Sequence, residues 1–342
     1  MKIGITYNLK ENVLPEGELD SEQVEEFDSP QTINAICAVF EAYGFKTTRL
    51  GGETNIIEKI KTEKPSFVFN IAEGYWGRNR EGQIPTILEI MNMPYSGSDP
   101  LTLALTLDKV MAKKILRMKG IPTPKFAVIK KWGELINIEN RLTYPLVVKP
   151  AWEGSSKGIY STSVSNSRNE LRKSVQKLFE RYAGQPILVE EFIRGREITV
   201  GVLGNSPAKI MGLMEIKMKG GDEDNFIYCL ETKRDWLKKV EYIIPPRIEK
   251  KLHYALSHNA LTAFREFGCR DVARIDFRIG RDNQPYLIDI NPLPGLTPGY
   301  SDLVIMTQMS GINYSQLIFS ILNTAFSRYG ISSNITKLTK VA

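Results

Sequence analysis

Two short apolar stretches toward the C-terminal end carry oxygen-bearing side chains where half-buried strands have no need of them. ARIDFRI and PYLIDIN, joined by the polar turn GRDNQ, read as a hairpin. Asp276 interrupts the first strand. Asp289 and Asn291 stand two apart in the second and so point to one face. Three hard oxygen donors on one hairpin describe a site for Mg²⁺, with Mn²⁺ as the alternative ion, and Mg²⁺ commonly shares its shell with nucleotide phosphates. Acidic residues also end ordinary strands, and Asp–Asn pairs also cap turns. The hairpin therefore gains its meaning from the rest of the chain.

Arg274 lies two residues before Asp276, on the same face. A cation there either stabilises the oxyanion of an acyl transfer or forms a plain salt bridge to Asp276 or Asp289. Upstream, Lys149 ends the strand PLVVKP, at an edge that faces a cleft, where a flexible point charge suits phosphate oxygens. The loop Gly154-Ser155-Ser156-Lys157-Gly158 follows. Its small residues let backbone N–H groups approach a triphosphate, and its hydroxyls add donors. It is not the GxxxxGK(S/T) pattern, and taken alone it also fits an inert connection. Glu190, Glu191, Phe192 and Ile193 end another strand, with Glu197 six residues beyond Glu191. Carboxylates there can accept from ribose hydroxyls or an adenine amino group while backbone reads the adenine edge. The bland alternative is a solvated strand edge.

These residues need a frame. The segments KIGITY, 30–43, KTTRL, NIIEKIKTEK, SFVFNIA and IPTILEIMN alternate strand and helix, with Ile33, Ile36, Cys37 and Phe40 inward on the helix over 30–43. That order predicts a parallel sheet covered by helices, with ligands beyond its C-terminal strand ends, after Tyr7 and Ala72. A glycine- and proline-broken joint around Gly97 and Pro100 leads into one helix ending near Met118. Strands FAVI, LVVKPA and GIYSTSV, a helix over NELRKSVQKLFERYA and the strand ILVEEFI come next. Then REITVGVLG and AKIMGLMEIKM, a polar stretch at 219–226, a helix over 247–267, the hairpin, and a last helix over 314–328 complete the chain. The polar stretch reads as a lid, extending to 235, or as an exposed loop.

At 342 residues the chain exceeds what one core usually supports. Its 42% hydrophobic and 25% charged residues are ordinary for a soluble enzyme. The 45 Lys+Arg against 39 Asp+Glu give +6, spread out apart from a basic helix at 109–119. No basic stripe or nucleic-acid module appears, and an anionic nucleotide explains the balance as well. Cys37, Cys229 and Cys269 form neither a CxxC nor a zinc spacing, which argues against a disulfide scaffold and for a reducing compartment. His253 and His258 read as solvated helix residues. The N-terminus reads as a strand rather than a signal peptide, and no apolar run reaches 18 residues, so no membrane partner and a cytoplasmic location are expected.

The order lysine, Gly/Ser loop, Glu-Glu strand end, Arg-x-Asp, Asp-x-Asn resembles the ATP-grasp superfamily, and within it the D-alanine–D-alanine ligases. The similarity covers about 94–322 and is most specific in PYSGSDPLTLALTLDK, VVKPAWEGSSKG, VEEFIRGREITV and RIDF…YLIDINPLPGLT. It implies an α/β and α+β architecture, the ATP-grasp fold with an N-terminal parallel-sheet (pre-ATP-grasp) domain. The N-terminal substrate domain would cover 1–100, the small subdomain 101–188, and the large subdomain, with metal and lid segments, 189–342. The implied activity is an ATP-dependent, ADP-forming ligase joining a small carboxylic acid to an amine through an acyl phosphate. Family members are often homodimers through the N-terminal domain. By this resemblance Lys109 and Lys149 contact ATP phosphates, and the Ser155/Ser156 loop closes over them, Ser155 at the reacting centre. Glu190 and the backbone of Glu191, Phe192 and Ile193 hold adenine, and Glu197 the ribose. Asp276, Asp289 and Asn291 carry two Mg²⁺ ions, and Arg274 stabilises the tetrahedral intermediate. Lys233, in YCLETKRDW, matches a lid lysine, with Arg234 where a tyrosine is usual.

The departures concern the substrate. The family's glycine-rich N-terminal stretch and its ammonium-binding glutamate are replaced by YNLKENVLPEG and EEFDSPQT, where Glu26 or Asp28 would substitute; the acidic residues of 11–28 otherwise form a solvated loop. Glu73-Gly74 stands for the family's His-Gly turn. Gly299-Tyr300-Ser301-Asp302 replaces the Ser-Leu pair that receives the second substrate's carboxylate, which suggests a larger or amine-bearing acceptor. Three readings follow: a ligase with unassigned substrates, D-alanine–D-alanine ligase proper in peptidoglycan precursor synthesis, or a nucleotide-binding protein without catalysis. The presence of Arg274, Asp276, Asp289 and Asn291 counts against the last.

Overall fold

Apolar runs and capped helices alternate along the first hundred residues, and the chain folds there into a three-stranded parallel sheet. The computed structural model describes residues 1–13, 22, 24–138, 141–221, 224 and 226–332. Strand β1 (Lys2–Thr6) lies between β2 (Lys46–Arg49) and β3 (Phe67–Asn70). Every residue of β3 is buried, as in a parallel strand covered on both faces. The helix Pro30–Ala42 begins where the Ser29 hydroxyl accepts the Thr32 N–H and Pro30 presets the first turn. It buries Ile33, Ile36, Cys37 and Phe40. The helix Tyr314–Arg328 returns from the far end of the chain and packs Leu317, Ile321 and Phe326 into the same core as Ile3, Ile5 and Phe67.

The expected single helix ending at Met118 is two, Pro100–Leu107 and Lys109–Met118. Asp108 breaks the run by taking an extended conformation and capping the second helix, its carboxylate accepting the Met111 N–H at 3.0 Å. The break places Lys109 at the start of a helix, at the edge of the central cleft.

An antiparallel sheet follows, with β4 (Phe126–Ile129), β5 (Leu146–Pro150), β6 (Val164–Ser165) and β7 (Ile187–Glu191) in the order β4-β7-β5-β6. Strand β7 spans position 188/189. Leu146, Val148 and Val189 pack on Leu171, Val175 and Leu178 of the helix Arg168–Arg181. The other face, with Val147, Lys149 and Glu190, turns to the cleft. Of the expected strand GIYSTSV only Val164 pairs, together with Ser165 just beyond it. Ser163 hydrogen-bonds the Tyr160 N–H at 2.8 Å and winds Ser161–Ser163 into a 3₁₀ turn, a local competitor of the ladder.

The third sheet holds β8 (Gly195–Gly204), β9 (Ala208–Met218), β10 (Val240–Ile243), β11 (Val272–Gly280) and β12 (Pro285–Asn291), antiparallel in the order β10-β9-β8-β11-β12. The helices Lys250–Glu266 and Lys109–Met118 cover one face through Leu256, Phe264, Ala112 and Leu116. The helix Asp302–Met309, absent from the sequence reading because it has apolar residues all round, is buried against the other face near Gly201 and Met214. Among the described residues no helix is long and apolar enough to cross a membrane.

Candidate active site

The hairpin of β11 and β12 sets Asp276 opposite Asp289 and Arg274 opposite Asn291. The Asp276 carboxylate accepts four hydrogen bonds: two from Arg274 at 3.0 Å, one from Thr199 Oγ1 at 2.7 Å and one from Asn291 Nδ2 at 2.9 Å. Burial works to raise its pKa, but Arg274 and these donors hold it below the usual range. The salt bridge open to Arg274 is therefore formed, with Asp276. The Arg274 Nη1 also lies 3.5 Å from Asp302 Oδ2, and Tyr228 and Tyr242 donate to Asp302 at 3.2 and 3.1 Å. Asp302, expected with Tyr300 to suit a larger or amine-bearing acceptor, thus fixes the guanidinium.

Among the described residues Asp289 accepts one hydrogen bond, from the Ile290 N–H at 3.2 Å, and lies 3.3 Å from Lys109 Nζ. The Asn291 amide gives its N–H groups to Asp276 and the Arg274 carbonyl, which leaves its oxygen to accept. Among the described residues no three His, Cys, Asp or Glu side chains form a metal cage. Two carboxylates and one amide oxygen are nevertheless the donor set Mg²⁺ takes when phosphate oxygens and water complete its shell.

Across the cleft, Glu190 is fully buried between Lys113, at 2.5 Å, and Lys149, at 2.7 Å. Burial alone would raise its pKa; the two ammonium groups outweigh it and hold it at about 2. Its carboxylate, expected on adenine, is therefore spent on lysines. Glu191 points outward, accepting the Thr143 N–H at 2.9 Å. The Ile193 N–H has no protein partner among the described residues. Its carbonyl accepts from Arg278 Nε at 2.6 Å. Arg278, missed in the sequence, also binds the Gly195 and Phe226 carbonyls at 2.8 Å, lies 3.2 Å from Glu197 and stands 4.7 Å over the Phe192 ring. The alternation Arg274, Asp276, Arg278 on one face is the signal that would have found it.

In the Gly/Ser loop Ser155 and Ser156 both adopt left-handed backbone, φ 47° and 60°. Such residues cost about 1–3 kcal/mol each and concentrate at functional sites. The Ser156 hydroxyl donates to the Tyr228 carbonyl at 3.2 Å. Glu26 clamps the loop: one oxygen accepts the Gly154 N–H at 2.6 Å, the other Lys157 Nζ at 2.8 Å, and Arg80 binds both at 2.9 Å. A Cβ at Gly154 would stand 2.5 Å from that carboxylate and displace it. Burial opposes ionisation, but Arg80 and Lys157 hold the Glu26 pKa at about 2. Glu22 accepts the Gly158 N–H at 2.6 Å and the Tyr160 and Tyr182 hydroxyls. Residues 22 and 24–28 are thus not a solvated loop; 14–21 and 23 of the expected acidic segment lie outside the described residues, as do 222, 223 and 225 of the expected lid.

Two chambers result. The smaller, about 100 Å³, is bounded by Lys149, Ser156, Glu190, Ile193, Glu197 and Asp276. The larger, about 340 Å³, brings together Glu26, Asp28, Glu73, Glu81, Tyr300 and Ser301. They meet at Lys109, Ser155, Lys233, Arg274, Asp289 and Asn291. Lys233 stands 5.1 Å over the Tyr228 ring, and burial, then Arg274, push its pKa down. Ser301 accepts the Thr297 N–H at 2.9 Å. Glu81, also missed in the sequence, ends up in the larger chamber because Arg80–Gly82 forms a 3₁₀ turn. Burial pushes Asp28 and Glu81 up to about 7 and Glu73 well above the carboxylate range.

Two solved ligases share this architecture. D-alanine–D-alanine ligase from Bacillus anthracis, complexed with ATP, aligns with TM-score 0.74 at 24% identity over 96% of this chain and 99% of its own. The VanG D-Ala:D-Ser ligase of Enterococcus faecalis aligns with TM-score 0.71 at 23% identity over 95% and 99%. The fold is the ATP-grasp fold. The model of the D-ala D-ala ligase C-terminus matches residues 115–323. D-alanine–D-alanine ligase of Carboxydothermus hydrogenoformans is 35% identical over 86% of this chain and 92% of its own, and protein y4sG of Sinorhizobium fredii 33% identical over 86% and 88%. The chain belongs to the D-alanine–D-alanine ligase family and is an ATP-dependent, ADP-forming ligase of that type.

Proposed function

We propose that the chain joins a small carboxylic acid to an amine through an acyl phosphate, with ATP in the smaller chamber and both substrates in the larger. The supporting observation is the junction itself: the chambers meet at two lysines, a loop serine, an arginine and the paired strand-end donors. Adenine would lie against Phe192 and the Ile193 N–H, with Glu197 on the ribose. Lys109, Lys149 and the Ser155/Ser156 loop would hold phosphates. Mg²⁺, or Mn²⁺, at Asp276, Asp289 and Asn291 would neutralise triphosphate charge.

The substrate carboxylate then attacks the γ-phosphorus in line and releases ADP. The amine attacks the acyl carbon, and phosphate leaves. Arg274, held by Asp276 and Asp302, faces the developing oxyanion. Lys233 and its neighbours around Tyr228 and Trp236 keep water from the acyl phosphate. Because the ligases it resembles use D-alanine, D-alanine is the first substrate to try. Glu73 and Tyr300, where the family shows other residues, favour a different pair. We further propose a cytoplasmic enzyme, and a dimer formed through the parallel-sheet unit.

The test is ADP release from Mg·ATP, first with D-alanine, then with a panel of amino acids and short peptides. Turnover with any pair supports the ligase, and the pair names the substrates. Asp289→Ala should abolish turnover and leave the thermal melt unchanged; wild-type turnover in that variant would remove the metal assignment.

A further inference from the structure

The larger chamber holds more carboxyl groups than its surroundings pair with cations. Four of its carboxylates have cations of their own. Glu25 lies 2.8 Å from Arg234, Glu26 binds Arg80 and Lys157, Asp289 lies 3.3 Å from Lys109, and Asp302 lies 3.5 Å from Arg274. Three remain: Asp28, Glu73 and Glu81. Among the described residues, none of these three carboxyls makes a hydrogen bond or ion pair.

The other cations of the chamber do not restore the balance. Lys10 is the charged group that acts on Asp28. Lys233 acts on Arg274, Asp302, Asp276 and Glu197 instead. Arg80 is near Glu73 and Glu81 but is committed to Glu26 and to the Trp152 carbonyl at 2.7 Å. Lys109 also reaches Glu81 electrostatically, yet it donates to the Glu153 carbonyl at 2.5 Å and pairs with Asp289. Glu81 is only 8% exposed and lines the chamber. A carboxyl so buried and without a partner is costly in the empty protein. Its cost is recovered when a cation arrives.

Position adds to the count. Glu73 follows β3, and Asp28 bridges Leu9 just beyond β1. Both therefore lie at the C-terminal ends of parallel strands, where such sheets bind ligands. Glu81 lies toward the reacting end, within the electrostatic reach of Lys109 and Asp289. With Lys10 set against Asp28, Glu73 and Glu81 are two carboxyls that act on one another electrostatically and have no ion-pair partner among the described residues. A single α-ammonium answers one of them.

Resting on the ligase reading above, we infer that one substrate of this chamber carries two cationic nitrogens besides its carboxylate, as a diamino or guanidino amino acid does, and that Glu73 and Glu81 select it.

The test is calorimetric binding at pH 8 to the full chain loaded with Mg²⁺ and a non-hydrolysable ATP analogue. The probes are lysine, ornithine and arginine in both hands, with norleucine and D-alanine as neutral counterparts. At least one basic probe should bind tenfold or more tighter than norleucine. One of the substitutions Glu73→Gln and Glu81→Gln should remove that preference and leave the norleucine affinity unchanged, while the other, at the carboxyl that takes the α-ammonium, should weaken lysine and norleucine alike. Both should leave nucleotide affinity unchanged, and because both remove an unpaired carboxyl, neither should melt below the wild type. Equal binding of lysine and norleucine, no binding of any basic probe, or a preference that survives both substitutions would overturn the inference. ADP release with the same probes separates the two claims. Turnover with D-alanine and no preference for basic probes leaves the ligase and removes the dication. Tight binding of a basic probe without ADP release from any pairing keeps the dication and removes the ligase reading.

Discussion

Glu190 in the nucleotide chamber and Glu81 in the substrate chamber are both buried glutamates, yet their acidities move in opposite directions. Glu190 is held at about 2 by Lys113 and Lys149, whereas Glu81 is pushed up to about 7 by burial that Arg80 and Lys109, paired elsewhere, offset only in part. The same contrast separates the clamp residue Glu26, at about 2, from Asp28, at about 7, two positions along one segment. Where a carboxylate serves the scaffold, the chain supplies its counter-charge. At Glu73 and Glu81, in the larger chamber, the counter-charge is left to what enters.

The largest effect expected from this contrast is at Glu190. Glu190→Ala would leave Lys113 and Lys149 buried and facing one another without an anion, a loss of about 3–5 kcal/mol. Denaturant or thermal unfolding measures it. Unchanged stability with a weakened ATP dependence would instead mean that the carboxylate serves adenine, and the contrast would fail.

Glu26→Gln comes next. Its pKa is lowered in the folded chain from an ordinary 4.5 to about 2. The stability it contributes is therefore fully present above about 4.5 and is lost as pH falls through about 2. At pH 7 the variant should lose about 3–4 kcal/mol, at roughly 1.4 kcal/mol for each pKa unit. The deficit should shrink steadily below pH 4. A deficit independent of pH would assign the effect to packing rather than to the clamp.

The scaffold residues were the more legible in the sequence, and the reason is geometric. Period-two alternation placed Asp276, Asp289, Asn291 and Lys149 on strands; the β11–β12 register brings the first three together, and Lys149, on the other antiparallel sheet, lines the same chamber. Three-and-four spacing found the helix Pro30–Ala42 and its buried face. What escaped were contacts between segments far apart in the chain. That Glu26 reaches Gly154, that Lys113 reaches Glu190, and that Arg278 gathers three carbonyls are facts of tertiary placement, carried by no spacing. The helix Asp302–Met309 escaped because burial all round erases the periodicity that reveals a half-exposed helix.

The smallest effect is expected at Asp28, where the sign reverses. Asp28 has a folded pKa of about 7 against an ordinary 3.8, because burial opposes its charge more than Lys10 supports it. The folded chain then holds a proton that the unfolded chain has lost between about pH 4 and 7, so stability falls across that window and stays lowered above it. Asp28→Asn removes the penalty. Below pH 4 the variant and the wild type should match. Above pH 7 the variant should be more stable by about 1–2 kcal/mol, less than the full shift implies because the carboxyl faces a solvent-filled chamber. Difference melting curves at pH 4 and pH 8 read this directly. A variant less stable than the wild type at pH 8 would mean that Asp28 is a scaffold carboxylate like Glu26, and that the two chambers follow one rule.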